Sequence, residues 1–143
     1  MDEIDRKLLA ALQDDARVTR SELGTRVGLS ASAVADRLRR LEDDGVVLGY
    51  RAELDRRALG YDLTAIVRIR PDSGQMKSVS AAATSIPEVI ECHRVTGEDC
   101  YVLTVVLRSI DELEDLVDRF TPFGRTTTSI VNSTPVPRRG FPL

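Results

Sequence analysis

The sequence predicts an α+β protein with a helix-turn-helix unit at its amino terminus and a ferredoxin-like βαββαβ module after it. Two observations support this prediction. Apolar residues recur at helical spacing three times within the first 45 residues, and strand-like and helix-like patterns alternate after residue 60. The length of 143 residues allows one domain or two very small ones, so we expect packing between domains or subunits to matter.

The composition is that of an ordinary soluble globular protein. Hydrophobic residues make up 42% and charged residues 30% of the chain, and the formal net charge is −3. No apolar run approaches the roughly 18 residues of a membrane span, and the acidic amino terminus does not resemble a secretory signal. We therefore expect a cytoplasmic protein whose two cysteines stay reduced.

Three helices are predicted in the first 45 residues. A polar residue can cap the start of each: Asp2 for the first helix, Thr19 or Ser21 for the second, and Ser30 for the third. The first helix should end near Asp15. Gly28 closes the second in the left-handed conformation, and the apolar stripe of the third continues until Gly45.

After the third helix the pattern changes to strands. Residues 46–54 have alternating, β-branched character and predict a hinge strand, and a helical turn follows at 55–60. The next elements are predicted in the order strand 63–70, helix, strand 89–95, strand 101–108, helix and strand 126–133. We divide the chain into a DNA-binding domain (1–47), a hinge strand and linker (48–60), a ferredoxin-like domain (61–134) and a tail (135–143).

The predicted sheet has helices on one face only. No residues remain in the chain to cover the other face, and a second copy related by two-fold symmetry is the commonest way to do so. We therefore expect a homodimer. The tail contains three prolines, which lack a backbone N–H, and is expected to be extended or mobile.

Residues 20–41 have the parts of a helix-turn-helix. Gly24 is placed where two helices cross, Gly28 forms the turn, and Val34 and Leu38 hold the third helix against the second. Small and hydroxyl residues can enter the major groove, and arginines can neutralise phosphates. The predicted DNA-contacting residues are Ser30, Ser32, Ala33, Arg37, Arg39 and Arg40. The alternative is a solvated helix face, with the arginines paired to the acidic residues at 42–44 and Arg39 paired to Asp43.

Several ordered motifs resemble those of the Lrp/AsnC family of bacterial and archaeal transcriptional regulators. They are Asp5-Arg6-Lys7-Leu8-Leu9, Val27-Gly28-Leu29-Ser30, Arg37-Leu38-Arg39-Arg40-Leu41-Glu42, Gly45-Val46-Val47, Val95-Thr96-Gly97 and Thr126-Thr127-Thr128. The resemblance implies a winged helix-turn-helix, a hinge strand, and a carboxyl-terminal ligand-sensing domain that forms dimers and often rings of four dimers. It also implies operator DNA and an amino-acid-like effector as partners, and a place in the bacterial or archaeal cytosol at the nucleoid.

One departure from the family concerns the effector. The turn that often reads Gly-x-x-Asp-Tyr in the family reads Gly97-Glu98-Asp99-Cys100-Tyr101 here. Cysteine is a weak donor and cannot replace a carboxylate, so the identity of the effector does not carry over. The residues expected to contact an effector are Thr96, Gly97, Glu98, Asp99, Cys100, Thr126 and Thr128. The alternative is that the glycine serves only the hairpin and that the threonines only suit a strand.

Other chemistry is set aside. His93 is the only histidine and has no arrangement of nucleophile and acid around it. If Val95 pairs with Cys100 in the hairpin, Cys92 lies opposite Leu103, so the two thiols are not partners. We expect no enzyme activity, no metal and no cofactor.

Two other functions remain open as alternatives. An architectural protein would coat DNA without an effector, and would bind none of the twenty amino acids. A small-molecule-binding or catalytic module would not retain DNA at moderate salt. The four arginines and single acid between Arg26 and Arg40 argue against the second alternative.

Overall fold

The computed structural model describes all 143 residues, which form two compact units. One unit contains residues 1–53 and 136–143, and the other contains residues 54–135. No helix is long and apolar enough to cross a membrane.

The first unit contains three helices: α1 (Glu3–Asp14), α2 (Arg20–Val27) and α3 (Ala31–Asp43). Side chains of Asp2, Thr19 and Ser30 accept hydrogen bonds from backbone N–H groups at the starts of these helices, as predicted. Gly28 ends α2 with φ of 71°, the left-handed conformation that favours glycine. Their buried apolar side chains form one core: Leu8, Leu9, Ala11, Leu23, Val34, Leu38 and Leu41.

Gly24 is required by the turn rather than by the crossing of two helices. A Cβ atom at this position would lie 2.4 Å from the carbonyl oxygen of Leu29. The same turn is closed by the Leu29 N–H, which donates to the Gly24 carbonyl oxygen at 2.9 Å. The close contact is therefore between α2 and the backbone that leads into α3.

The second unit has the predicted βαββαβ order. Its elements are β1 (Leu63–Pro71), α4 (Met76–Ser85), β2 (Val89–Arg94), β3 (Tyr101–Leu107), α5 (Ile110–Asp118) and β4 (Gly124–Ile130). The strands are antiparallel in the order β2-β3-β1-β4. Residues of both helices and of one sheet face share a single core around Val67, Leu103 and Phe120. The ferredoxin-like prediction is confirmed.

The predicted hinge strand is absent. Residues 46–54 have no regular secondary structure, because a strand needs a hydrogen-bonded neighbour and this chain supplies none there. The last strand is also displaced from 126–133 to Gly124–Ile130. Gly124 pairs with Pro71, and the partner strand β1 begins at Leu63, so the chain beyond Val131 has no residue left to pair with.

The tail is better placed than an unattached segment. The side-chain amide of Gln13 donates to the Phe141 carbonyl oxygen at 3.1 Å and accepts from the Phe141 N–H at 2.6 Å. A Cβ atom at Gly140 would lie 2.8 Å from the Gln13 side chain, so glycine permits this approach. The prolines prevent regular structure in the tail but do not prevent its attachment to α1.

Candidate nucleic-acid interface and effector site

Helix α3 has a buried stripe and an opposite, exposed stripe. Val34, Leu38 and Leu41 are buried in the helical core. The exposed stripe follows the same spacing and consists of Ser32, Asp36, Arg39 and Asp43. This exposed stripe is the face that α3 offers to a partner.

The start of α3 is fixed by hydrogen bonds of Ser30. Its hydroxyl oxygen accepts from the Ala33 N–H at 3.2 Å and lies 3.0 Å from the Ser32 hydroxyl oxygen. Ser30 is therefore a capping residue, whereas Ser32 is exposed and Ala33 is half-buried beside it. Small side chains at this end leave room for a close approach to DNA.

Arg37 does not lie on the exposed stripe, contrary to the prediction. Its guanidinium donates to Asp2 at 2.7 Å and to Asp5 at 2.8 Å, and its side chain is only 25% exposed. These hydrogen bonds raise the pKa of Arg37. The acidic start of α1 thus holds Arg37, which makes it the arginine of α3 least accessible to a ligand.

The two other arginines of α3 also differ from the predicted pairing with residues 42–44. Arg39 lies 3.2 Å from Asp36, and both of these side chains are more than two-thirds exposed. Arg40 donates to both carboxylate oxygens of Asp5 at 3.1 Å. The predicted Arg39–Asp43 pair is not formed. Arg39 remains the most accessible of the three arginines, because its only partner is itself exposed.

The sequence analysis missed the role of Asp5, which is 1% exposed and carries charge in the core of the helical unit. Burial raises the pKa of its carboxyl, but hydrogen bonds from the Asp2 N–H and from Arg37 outweigh burial and lower it. The signal was available in two halves, since acids at 2 and 5 form a capping box and arginines at 37 and 40 are one helical turn apart.

The hairpin between β2 and β3 contains the predicted effector turn. The Val95 N–H donates to the Cys100 carbonyl oxygen at 2.9 Å, and Gly97 has φ of 117°, a conformation that favours glycine. Asp99 lies 3.9 Å from Arg68, and Cys100 packs instead against the core under the helices. The carboxylate and the thiol of this turn therefore serve opposite faces of the sheet.

A groove of about 620 Å³ lies between α4 and the carboxyl end of β2. Its base is Tyr101, which is 2% exposed and whose hydroxyl donates to the Met76 carbonyl oxygen at 2.8 Å and lies 2.7 Å from the Ser80 hydroxyl. Arg94 lies over the Tyr101 ring at 5.9 Å. The sequence analysis did not select Arg94, because only the register of β2 against β3 places it beside Tyr101.

Thr126 and Thr128 lie apart from this groove. Thr126 pairs with Ile69 of β1, which in turn pairs with Tyr101 of β3. Two strand spacings, or about 10 Å, therefore separate Thr126 from Tyr101. Within one chain the structure brings the hairpin turn and the groove together and leaves the two threonines on the opposite sheet edge.

The remaining sites of possible chemistry have structural explanations. His93 is exposed on β2 and lies 3.2 Å from Glu91. Cys92 pairs with Leu103, as the hairpin register predicted, and both cysteines are free thiols. Burial raises the pKa of Cys92. No group of three metal-ligating side chains is present.

Two family models match the chain. One, described as the Lrp/AsnC ligand binding domain, matches residues 64–141, and the other, described as winged helix-turn-helix DNA-binding, matches residues 1–47. The regulator LrpA of Mycobacterium tuberculosis is 47% identical over 91% of this chain and 85% of its own length. The uncharacterized regulator YezC of Bacillus subtilis is 43% identical over 93% of this chain and 94% of its own length.

Solved structures agree with this result. A feast or famine regulatory protein from M. tuberculosis, complexed with L-methionine, is 44% identical with a TM-score of 0.91, over 98% of this chain and 97% of that one. A transcriptional regulator from Neisseria meningitidis, also in complex with L-Met, is 28% identical with a TM-score of 0.90, over 97% of this chain and 94% of that one.

Proposed function

This chain belongs to the Lrp/AsnC family of DNA-binding transcriptional regulators, and we propose that it binds operator DNA as a homodimer whose two α3 helices enter successive major grooves. Such a protein acts without catalysis or a cofactor, in the cytoplasm at the nucleoid. The relatives described above are named as regulators, which supports this assignment.

The observation that carries the proposal is the exposed stripe of α3. Ser32 and Ala33 offer small side chains at the end that enters the groove, and Arg39 offers an accessible guanidinium one to two turns further along. Ser30 retains a role in capping. We assign Arg37 and Arg40 mainly to holding α3 in place, because Asp2 and Asp5 engage both of them.

The helix-free face of the sheet supports the dimer. Ile66, Val102 and Val106 lie near its centre, and none of them is covered by α4 or α5. The Thr64 hydroxyl on the same face is buried and has no hydrogen-bond partner in the single chain. A second copy would cover these groups. We extend the proposal to a ring of four dimers, which the family resemblance implies.

We further propose that an amino acid or a related small effector binds at the β2–β3 hairpin. Two similar proteins have been solved with L-methionine, which supports an effector of this size. The contacts would come from Thr96 to Cys100, with Thr126 and Thr128 contributed by a neighbouring copy. By linkage, an effector that prefers one arrangement of the dimers changes operator affinity by the same factor.

The DNA-binding proposal is tested by Ser32→Glu. A carboxylate on the exposed stripe of α3 would face the DNA backbone, so we expect operator affinity to fall about ten- to hundredfold, or roughly 1–3 kcal/mol. A mobility-shift titration with the fragment upstream of the protein's own gene measures this loss at fixed salt.

The matched control is Ser73→Glu, which makes the same change at an exposed loop of the second unit. We expect it to retain the affinity of the unaltered protein. Equal affinities for the two variants would show that the stripe does not contact DNA.

A further inference from the structure

The groove between α4 and β2 has polar, apolar and cationic linings suited to a small molecule. It is lined by Met76, Lys77, Ser80, Ala81, Thr84, Ser85, Arg94 and Tyr101. Arg94 is two residues before the hairpin turn, so the groove opens beside the proposed effector contacts. Its volume of about 620 Å³ is within the range of ordinary ligand pockets.

The charge of this groove is positive. Lys77 and Arg94 have no carboxylate within 4 Å, and no acidic residue is among the residues that line the groove. Glu91 borders a smaller adjoining cavity of about 360 Å³, but its carboxylate lies 3.2 Å from His93. Two cations next to an apolar base suit a carboxylate that carries a short side chain.

The hairpin offers no carboxylate to the same ligand. Cys100 stands where the family often has an acid, and a thiol does not compensate an ammonium charge. Asp99 is the nearest acid in the turn, but it lies 3.9 Å from Arg68 on the opposite face of the sheet. A zwitterionic amino acid would therefore place its ammonium group near two cations without an opposing charge.

We infer that the effector of this chain is a small organic carboxylate without an ammonium group, such as a 2-oxo acid, held by Arg94 and Lys77 in the groove beneath the hairpin. This inference rests on the proposed function, since it names the chemical class of the effector. Arg94 binds the carboxylate with its planar guanidinium, Lys77 adds a second charge, and the side chain of the acid lies along Met76 and Ala81.

Isothermal titration of the full chain with matched pairs of ligands tests the inference. Each pair consists of an amino acid and the 2-oxo acid with the same side chain, for methionine, leucine, phenylalanine and alanine. We expect at least one 2-oxo acid to bind ten times or more tightly than its amino acid. Arg94→Gln should weaken this binding at least tenfold, and Arg119→Gln, which removes an exposed arginine elsewhere in the same unit, should not.

A second variant tests the role of the missing acid. Cys100→Asp returns a carboxylate to the turn, and we expect it to improve amino-acid binding and to reduce the preference for the 2-oxo acid. Circular dichroism verifies that each variant is folded before titration.

The outcomes separate the inference from the proposed function. If an amino acid binds more tightly than its 2-oxo acid, or if Arg94→Gln leaves the affinity unchanged, the inference fails and the effector proposal stands. If Glu91→Gln abolishes amino-acid binding, an acid does serve the ligand and the inference also fails. If no compound binds, the inference and the effector proposal both fail, while the mobility-shift assay still judges DNA binding.

Discussion

Asp5 shows how one buried charge can hold the recognition helix. It receives hydrogen bonds from Arg37, from Arg40 and from the Asp2 N–H, all between 2.8 and 3.1 Å. An unpaired carboxylate at this depth would be strongly destabilising, but here its oxygens have cationic partners. The cluster links the first turn of α1 to the middle of α3, so it fixes α3 in a way that apolar contacts alone do not.

Asp5→Asn removes the charge from this cluster with little change in shape. Because hydrogen bonds to charged groups are worth more than neutral ones, we expect the helical unit to lose about 2 kcal/mol of unfolding free energy. Urea titration followed by circular dichroism at 222 nm measures the loss. Asp36→Asn serves as the control, since its exposed pair with Arg39 should contribute less than about 0.5 kcal/mol. Equal stability of the two variants would contradict a structural role for the cluster.

Asp2 makes the same cluster sensitive to acid. The hydrogen bond from the Asp5 N–H, together with that from Arg37, lowers the pKa of Asp2 from 3.8 to about 2. Because the pKa is lower in the folded state, the stabilisation is complete above about pH 4 and is lost as the pH falls towards 2. We expect the unfolding free energy of the helical unit to fall over this window.

Asp2→Asn identifies the source of that fall. Asparagine still caps α1 but has no carboxyl to titrate, so the dependence on pH between 4 and 2 should become shallower. Urea titrations at four pH values measure the slope, with Asp62→Asn in the second unit as the charge control. A slope unchanged by Asp2→Asn would assign the acid sensitivity to other carboxyls.

At the scale of elements, the turn between α2 and α3 depends on Gly24. Alanine is the better helix former by about 1 kcal/mol, yet its Cβ would lie 2.4 Å from the Leu29 carbonyl oxygen. The obstructing atom belongs to the backbone, so the turn itself must move. Crowding of this kind costs about 1–3 kcal/mol, which exceeds the gain in propensity.

We therefore expect Gly24→Ala to destabilise the helical unit by about 1 kcal/mol in a urea titration. Thr25→Ala, at the exposed neighbouring position, makes a change without crowding and should leave stability nearly unaltered. A gain in stability for Gly24→Ala would mean that the turn relaxes without cost.

The elements that the sequence predicted well are those with local causes. The caps Asp2, Thr19 and Ser30 and the closing Gly28 determine helix ends within a few residues, so the three helices were found close to their true bounds. The hinge strand was predicted wrongly, because alternation in residues 46–54 says nothing about whether a partner strand exists.

The candidate site was predicted less completely, for the same reason. Ser32 and Arg39 follow from helical periodicity alone, and the structure leaves both exposed. The capture of Arg37 by Asp2 and Asp5 joins residues more than 30 positions apart, and the approach of Arg94 to Tyr101 depends on strand register. Periodicity within one element contains no information about either contact.

At the scale of the whole molecule, the helix-free face of the sheet is the feature that a single chain leaves incomplete. Val102 lies on this face in the middle of β3, with Arg68 beside it on β1 and His93 beside it on β2. An acidic residue there would remain solvated in a lone chain, but it would be buried without a partner between two copies.

Val102→Asp should therefore separate the copies without unfolding them. We expect light scattering after size exclusion to give a mass near 15.8 kDa for this variant and a multiple of it for the unaltered protein. Ile110→Asp makes the same kind of change on the side of the sheet that carries the helices, where α5 begins, and should retain the larger mass. Because a dimer holds two α3 helices on one operator, the separated variant should also bind DNA at least tenfold more weakly. A variant that keeps the larger mass would place the contact between copies on another surface.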